Sequence, residues 1–412
     1  MARRAVIVGG SMAGLFAALL LRRAGWDVIV CERSPRGLDG RGAGIVTHPE
    51  LVDRLRQAGV DLGRPLGVTV PGRVVLDADG GVRCRADLPQ ILTSWDRVYR
   101  MLMDALPAEL HRSGMALERV EQDGRGVGAR FAGDETIEAD LLVGADGIYS
   151  TVRAQLMPET RPAYAGYIAW RGLVDERRLS DATRGMLCDR FGFCLPPREQ
   201  MLGYPVAGSS GDDGVAPGSR RYNFVWYRPA DAQTDLPDLL TDASGRRHGP
   251  SIPPDRIRRE LVAAMRADAH RLLAPHYAEV VDRTDQPFFQ PIYDLESRRL
   301  VVGRVALIGD AAFVARPHLG MGVTKAGSDA AVLAEALDRS PDDLAAGLAA
   351  FEAARMRLGR AVVARARALG AYMQAQLLTD AERRMAESHR DPDSVMRETA
   401  VATGLPSGDL AP

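Results

Sequence analysis

The chain has 412 residues, 26% of them charged, and a net charge of −1 at neutral pH. That balance favours neither nucleic acid nor an acidic membrane surface as a partner. No apolar run approaches the ~20 residues of a membrane span, and the length suits about two to three domain-sized units, or one large α/β domain carrying an insertion.

Ala5 to Val8 reads as a buried parallel strand, although Arg3 and Arg4 before an apolar run superficially resemble a secretion signal. Gly9 and Gly10 break that run after four residues, so export is not expected and a cytoplasmic location is. Gly9-Gly10-Ser11-Met12-Ala13-Gly14 then opens a helix with Leu15, Leu19 and Leu20 turned inward. Gly25 ends it, and Val28 to Val30 leads to Glu32 and Arg33. Such a βαβ unit aims the positive end of a helix, with unpaired N–H groups, at a place suited to a pyrophosphate. Glu32, 18 residues after Gly14, stands where a carboxylate accepts hydrogen bonds from ribose hydroxyls. Ser11 replaces the middle glycine of the usual G-x-G-x-x-G. An ordinary βα turn is the bland alternative, and the unit alone does not separate NAD from FAD.

Gly40, Gly42 and Gly44 alternate, which lets backbone pass close to something flat or bulky. Helix signals run from Pro49 to about Ala58. Arg73 to Leu76 and Val82 to Arg85 form a hairpin around Asp79-Gly80-Gly81, and Ser94 caps a helix carrying Val98, Leu102 and Leu106. Short strands between 115 and 145 end in Gly144-Ala145-Asp146-Gly147, at the sheet edge where open α/β folds collect ligands. From 160 to 230 aromatics rise, and Arg221 to Tyr227 alternates like a strand. This region is expected to form an antiparallel sheet inserted into the first domain. Residues 257 to 273 are helical, and Val301 to Ile308 is a last buried strand ending in Gly309-Asp310. Pro317 to Thr324 leads into another helix. A long C-terminal helix starts at Ser340-Pro341, with Ser340 as cap and Leu344, Leu348, Phe351, Leu358 and Val362 inward. The tail after about 391 is expected to be disordered or loosely docked.

Three separated motifs, Gly9 to Gly14 with Glu32, Gly144 to Gly147 with Arg153, and Gly309-Asp310 with Pro317, Gly320 and Gly322, together resemble the single-component FAD-dependent aromatic hydroxylases of the para-hydroxybenzoate hydroxylase superfamily. Within it, Gly44 to Leu51, Thr93 to Asp96, Tyr164 to Gly172, Asn223 to Tyr227 and Arg316-Pro317-His318 are most similar to the 2,6-dihydroxypyridine 3-hydroxylase branch. The resemblance spans roughly residues 4 to 385. It implies an α/β fold: a Rossmann-like, three-layer FAD-binding domain with a parallel sheet (1–72, 93–157 and 280–340), an inserted antiparallel-sheet substrate domain (73–92 and 158–279), a C-terminal helix (341–385) and a tail (386–412).

The resemblance also implies cofactor contacts. Gly9, Ser11, Met12, Ala13 and Gly14 match the pyrophosphate loop, Glu32 with Arg33 the ribose end, and Asp310 the aspartate that holds the ribityl chain. Gly44, in the alternating-glycine stretch, is counted with the cofactor contacts, and Asp146-Gly147 matches the motif linked to both FAD and pyridine-nucleotide use. Pro317, Gly320, Gly322, Val323 and Thr324 match the loop before a helix whose N-terminus faces flavin N1 and O2. Relatives usually carry Asn at the Thr324 position and often Gln at the Met321 position, so flavin-edge contacts here should be mainly backbone N–H; they also usually carry Arg at the Trp95 position, which bears on one pyrophosphate-side contact. The implied co-substrates are NAD(P)H and dioxygen, and the implied reaction passes an oxygen atom from a flavin C4a-hydroperoxide to a small electron-rich phenol or hydroxylated N-heterocycle. Relatives of this kind are often homodimers.

Several side chains carry two readings. His48 and His318 flank flavin-facing loops, and each suits either a base for a ring hydroxyl or a structural hydrogen bond. Lys325 is the only lysine, the other basic residues being arginine. It either adds to the field at the flavin or pairs with a carboxylate at the surface. Tyr204, Tyr222, Phe224 and Trp226 either line a ring pocket or pack a core, with alternate residues on one side. Arg171 and Arg316 hold either a substrate anion or a core acid. Cys31, Cys84, Cys188 and Cys194 form no CxxC pair, and no His or Cys sits at metal-ligand spacing, so neither disulfide nor metal is expected. The Trp-x-Trp-x-Ile-Pro segment of flavin halogenases is missing at Ile168-Ala-Trp170-Arg-Gly. Remaining alternatives are oxidative tailoring of a larger natural product and a non-catalytic flavin-binding protein.

Overall fold

The computed structural model describes residues 3–38, 44–208, 212–402 and 405, so Gly40 and Gly42 lie outside the described residues. Strand β1 (Arg4–Val8) feeds helix α1 (Met12–Arg23), whose residues from Met12 to Leu21 are all buried. Its small and branched-chain residues leave no polar face, so it can only sit between other elements. Gly25, at φ +83°, lets the chain reverse into β2 (Asp27–Glu32), which lies parallel to β1 with Val8 opposite Cys31. Then follow β3 (Gly44–Val46), α2 (Pro49–Gln57) and the hairpin of β4 (Val68–Leu76) and β5 (Val82–Ser94), closed by Gly80 at φ +92°. Ser94 caps α3 (Trp95–Ala105) by accepting from the Arg97 N–H at 3.3 Å, as the sequence predicts. Next come β6 (His111–Ser113), β7 (Leu117–Gln122), β8 (Val127–Phe131), β9 (Thr136–Ala139), β10 (Leu141–Gly144) and α4 (Thr151–Leu156).

The second half contains β11 (Ala163–Asp175), α5 (Asp181–Leu187), β12 (Phe191–Cys194), β13 (Gln200–Val206), β14 (Arg221–Pro229) and α6 (Asp235–Leu239). Helix α7 (Arg259–Leu272) stops where expected. Pro275, which suits a first helical turn, then starts α8 (Pro275–Asp282), which the sequence reading missed. Strands β15 (Phe288–Glu296), β16 (Val301–Val302), β17 (Val305–Leu307) and β18 (Phe313–Val314) precede α9 (Gly322–Asp338), α10 (Leu344–Gly370), α11 (Asp380–Ser388) and α12 (Pro392–Glu398).

Two large sheets carry the architecture. The first has the order β16-β17-β10-β1-β2-β6 and is parallel apart from β16. The expected single strand 301–308 is two short ones, because Gly303 turns the chain at φ +60°. The second sheet, β18-β15-β11-β14-β13-β12-β4-β5-β3, is antiparallel except where β12 meets β4. Strand β3 and the start of β4 belong to it, since Gly44 to Val46 pair with Leu92 to Ser94. A three-stranded meander, β7-β8-β9, completes the set.

The C-terminal region departs from expectation in two ways. Asp343, not Ser340, caps α10, accepting from the Ala346 N–H at 2.9 Å. That helix ends at Gly370 rather than near 385. The tail is docked through Ala402: Val395, Met396, Thr399 and Ala400 are buried, and Arg73 donates to the Met396 and Thr399 carbonyls at 2.6 Å each. A buried guanidinium needs acceptors, and these two backbone carbonyls supply them.

Candidate active site

A groove of about 690 Å³ runs along the C-terminal ends of β1, β2 and β10. Gly9 sits at φ +111°, and a Cβ there would lie 2.4 Å from the Ala145 carbonyl. A Cβ on Gly14 would collide with the Gly9 carbonyl at 1.8 Å. These two glycines are therefore fixed by backbone crowding. Ser11 precedes the first turn of α1 without capping it, and Ser11, Met12 and Ala13 line the groove. The first N–H groups of a helix have no intrahelical acceptor, so this end of α1 suits an anion. Glu32 is 6% exposed and accepts from the Gly10 and Ser34 N–H groups at 2.8 Å each. It stays fixed at the groove's far end, beside the exposed Arg33. Trp95, where relatives were expected to carry Arg, lines the groove and stacks on Tyr99 at 4.8 Å.

Asp146 accepts from Ser150 Oγ at 2.5 Å and from the Thr151 and Val152 N–H groups at 2.7 and 3.1 Å, so it satisfies the first N–H groups of α4, whose cap is Ser150. Burial nonetheless pushes its carboxyl above the usual range. Arg153 is buried and donates to the carbonyls of Ala311, Ile148 and Thr160. It thereby ties the Asp146 loop to the turn that carries Asp310.

That turn is built by Lys325 together with two groups the sequence did not single out, Asp329 and Arg355. The Asp329 carboxylate accepts from the Gly309 N–H at 2.9 Å, from Lys325 Nζ at 3.1 Å and from Arg355 Nε at 2.7 Å. Lys325 also donates to the Gly309 carbonyl at 2.8 Å. Lys325 is thus not a surface residue: it lines the wall of the cavity at the start of α9 while its ammonium is held by this pair. It is 2% exposed and committed to an internal ion pair. Burial would raise the Asp329 carboxyl, but Lys325 and Arg355 outweigh it and hold the group below its ordinary value. Asp310 projects into the groove with no hydrogen-bond partner among the described residues, and the protein crowding around it pushes its carboxyl up. The sequence signal was the four-residue spacing of Lys325 and Asp329 on one helix, with Arg355 interrupting an apolar stripe.

A second cavity, of about 250 Å³, meets the groove at the N-terminus of α9, with Ile45, Arg171, Asp310, Gly322 and Val323 in both walls. Pro317 to Leu319 form one helical turn, Gly320 reverses the chain at φ +64°, and a Cβ on Gly322 would meet nothing within 4 Å. The free N–H groups at the start of α9 therefore open onto the junction. Thr324 is fully buried and its hydroxyl has no partner, so it forms no part of the wall.

The second sheet supplies the cavity's ring-facing wall. Cross-strand partners share a face, and Tyr204 pairs with Asn223, Leu202 with Val225 and Gln200 with Tyr227. Tyr204, Leu202, Val225 and Tyr227 line the cavity. Tyr222, Phe224 and Trp226, expected there, point the other way into the core formed with α7 and α8, beside Met265, Tyr277 and Val281. Both faces of β14 are aromatic, so alternation revealed two faces without saying which was which. Tyr227 is the residue missed. The Tyr204 and Tyr227 hydroxyls have no hydrogen-bond partner among the described residues. Burial pushes both up, opposed by the Arg171 charge. Arg171 donates to Gln290 at 2.8 Å and to the Gly44 carbonyl at 3.3 Å. Gly44 lines this cavity, and a Cβ there would lie 2.6 Å from both Asn223 and Tyr204.

Three further expectations are displaced. Arg316 reaches the cavity wall, but Asp294 accepts from it at 3.0 to 3.2 Å and Gln374 at 2.8 Å, so a core acid already holds it. His318 lies behind Tyr227, 4.7 Å between ring centres, with Nε2 2.7 Å from the Tyr167 hydroxyl. Burial, with Arg316 nearby, lowers its pKa to about 3. His48 faces a different cavity, beyond β3. Neither histidine lines the ring cavity.

The FAD binding domain-like family model matches residues 164–294. The chain is 34% identical over 375 residues to 2,6-dihydroxypyridine 3-monooxygenase of Paenarthrobacter nicotinovorans, which covers 90% of this chain and 91% of that one. The chain belongs to the FAD-dependent aromatic monooxygenases. It is also 30% identical to 3-amino-4-hydroxybenzoate 2-monooxygenase of Streptomyces cremeus, over 99% of this chain and 98% of that one. The solved structure of 2,6-dihydroxypyridine-3-hydroxylase from Arthrobacter nicotinovorans superposes with a TM-score of 0.86 at 32% identity, covering 99% and 98% of the two chains. As a member of this family the monooxygenase uses FAD, with reduced nicotinamide and dioxygen as co-substrates. The groove fits that cofactor: an unpaired helix N-terminus at Ser11 to Ala13, a buried acid at Glu32, an unbonded acid at Asp310 and open N–H groups at Gly322. Among the described residues no helix is long and apolar enough to cross a membrane, and no three His, Cys, Asp or Glu side chains converge as metal ligands.

Proposed function

We propose that this monooxygenase hydroxylates a small, electron-rich ring of the hydroxypyridine or phenol type. The observation that carries the reading is the aromatic-walled cavity of about 250 Å³ that joins the cofactor groove at the N-terminus of α9. Its size lies at the small end of ligand pockets. Its relative from P. nicotinovorans is named for dihydroxypyridine chemistry, which favours an N-heterocycle.

FAD would supply the redox chemistry: reduced by NADH or NADPH, it would activate dioxygen, one atom of which enters the ring while the other leaves as water. The chain's own residues do the rest. Glu32 would hold the ribose end, the α1 N-terminus the pyrophosphate, and Asp310 the ribityl hydroxyls. The α9 N–H groups would offer a fixed positive field, needing no reorganisation, to negative charge gained on reduction. Tyr204 and Tyr227 orient a ring hydroxyl, and the Arg171 charge favours that hydroxyl's ionised form, in which the ring is richer in electrons. Leu202, Val225 and Met321 exclude water. No histidine acts as the base on the ring.

The test is NADH and NADPH oxidation by the purified flavoprotein, with and without a panel of hydroxypyridines and phenols, followed by product mass. A ring that accelerates oxidation and returns one oxygen atom heavier supports the reading. Flavin binding with no stimulated oxidation and no heavier product for any member of the panel refutes it.

A further inference from the structure

Beyond β3 lies a larger cavity, about 1140 Å³, between α2, the β4–β5 hairpin and the segment Ala400–Ala402. Its mouth is open to solvent, since Asp53 and Arg56 on its rim are 63% and 65% exposed. Its floor is His48, 4% exposed, with neither ring nitrogen hydrogen-bonded. The Glu50 carboxylate has one buried, unpartnered oxygen in the same wall. Buried polar atoms are ordinarily satisfied, so this cluster calls for a ligand.

Two features tie the cavity to the ring site. Ala400 lines both cavities, and β3 divides them so that Val46 faces one and Thr47 the other. Ala400 is held at φ +59°, a conformation a side chain resists, by its N–H to the His318 carbonyl and its carbonyl to Gln90. The one described residue shared by both walls is thus a strained one.

The lining specifies a ligand class. A neutral imidazole offers one donor and one bare nitrogen. Burial lowers the His48 pKa, with Glu50 opposing and Arg73 reinforcing that shift, which keeps the ring neutral. Glu50 adds an acceptor, and Leu88, Pro89, Ile91 and Val401 supply apolar cover. The complement is a flat apolar ring with a donor and an acceptor on its edge, as a hydroxypyridine has. The geometry points to a second, outer binding site for the hydroxylated ring, an antechamber with His48 as its recognition group, from which substrate passes Ala400 into the ring cavity. The inference rests on the hydroxylase reading above.

The experiment uses the FAD-loaded protein and 2-hydroxypyridine as probe. Histidine-ring NMR, with His48→Leu to identify the resonance, reports the outer site. The flavin absorbance change in a stopped flow reports the ring cavity. The expected result is a saturable shift of the His48 resonance, and a flavin response slowed by about tenfold in His48→Leu, the scale of one lost hydrogen bond. Thr69→Trp, at an exposed position on the outer wall, slows the same response and leaves the FAD spectrum unchanged. A flavin response with an unmoved His48 signal and wild-type rates in both variants overturns the antechamber alone. No response at either site, together with no ring-stimulated oxidation, overturns the hydroxylase reading as well.

Discussion

Asp329 offers the sharpest perturbation, because one buried carboxylate neutralises two buried cations and fixes the Gly309 turn. Asp329→Asn keeps the shape and removes the charge, leaving Lys325 and Arg355 without a counter-ion at 2% exposure each. Breaking a buried pair on one side costs about 3–5 kcal/mol, since the surviving charge stays desolvated. With a urea slope of roughly 3 kcal/mol/M, that corresponds to a midpoint lower by about 1–1.7 M. Asp310 rides on the same turn, so FAD affinity falls with stability, on the order of tenfold or more. Lys325→Met removes one cation but leaves Asp329 paired with Arg355, so its cost is smaller. The double variant costs less than the sum, because the residues act as a unit. The pH dependence has a definite sign. Asp329 titrates below its ordinary value in the fold, so the wild-type advantage over Asp329→Asn is present above about pH 4 and disappears as pH falls through the native value. Urea melts of apoprotein and fluorescence titration with FAD measure both quantities. A wild-type midpoint and FAD affinity in Asp329→Asn, or strict additivity with Lys325→Met, would refute the assignment of Lys325 to this network.

Three further outcomes follow from the same geometry. Tyr227→Phe should raise KM for the ring substrate about tenfold and leave FAD affinity unchanged, whereas Trp226→Phe, on the other face of the strand, should change neither; matched kinetics in the two variants would mean the faces are misassigned. His318, lowered by burial to about 3, costs stability as pH falls from about 6.5 towards that value, because only the unfolded state takes the proton. His318→Gln should flatten that part of the stability–pH curve by on the order of a few kcal/mol, read from urea midpoints across the range. Arg73→Met should free the C-terminal segment, seen as protease cleavage near 390–400 at least ten times faster than in wild type, with the rest of the chain intact.

The groove half of the candidate site was legible in the sequence because its geometry is local. A strand, a turn that admits only glycine at Gly9, a helix start and an acid at a fixed distance lie within about thirty residues, and backbone sterics permit few other arrangements. The sequence by itself therefore determined the parallel sheet, the placement of Glu32 and Asp310 and the flavin family. It did not determine which side of a strand faces the ring. Tyr222, Phe224 and Trp226 on one side of β14 and Val225 and Tyr227 on the other are equally apolar, and only the packing of α7 and α8 decided between them. Nor did it assign the charges. Arg316 and His318 looked available because their partners Asp294 and Tyr167 lie 22 and 151 residues away, and the Lys325–Asp329 pair, four residues apart, is completed by Arg355 26 residues further on. Burial makes such pairing obligatory, and which acid or hydroxyl satisfies which cation is settled only where the tertiary fold brings distant segments together.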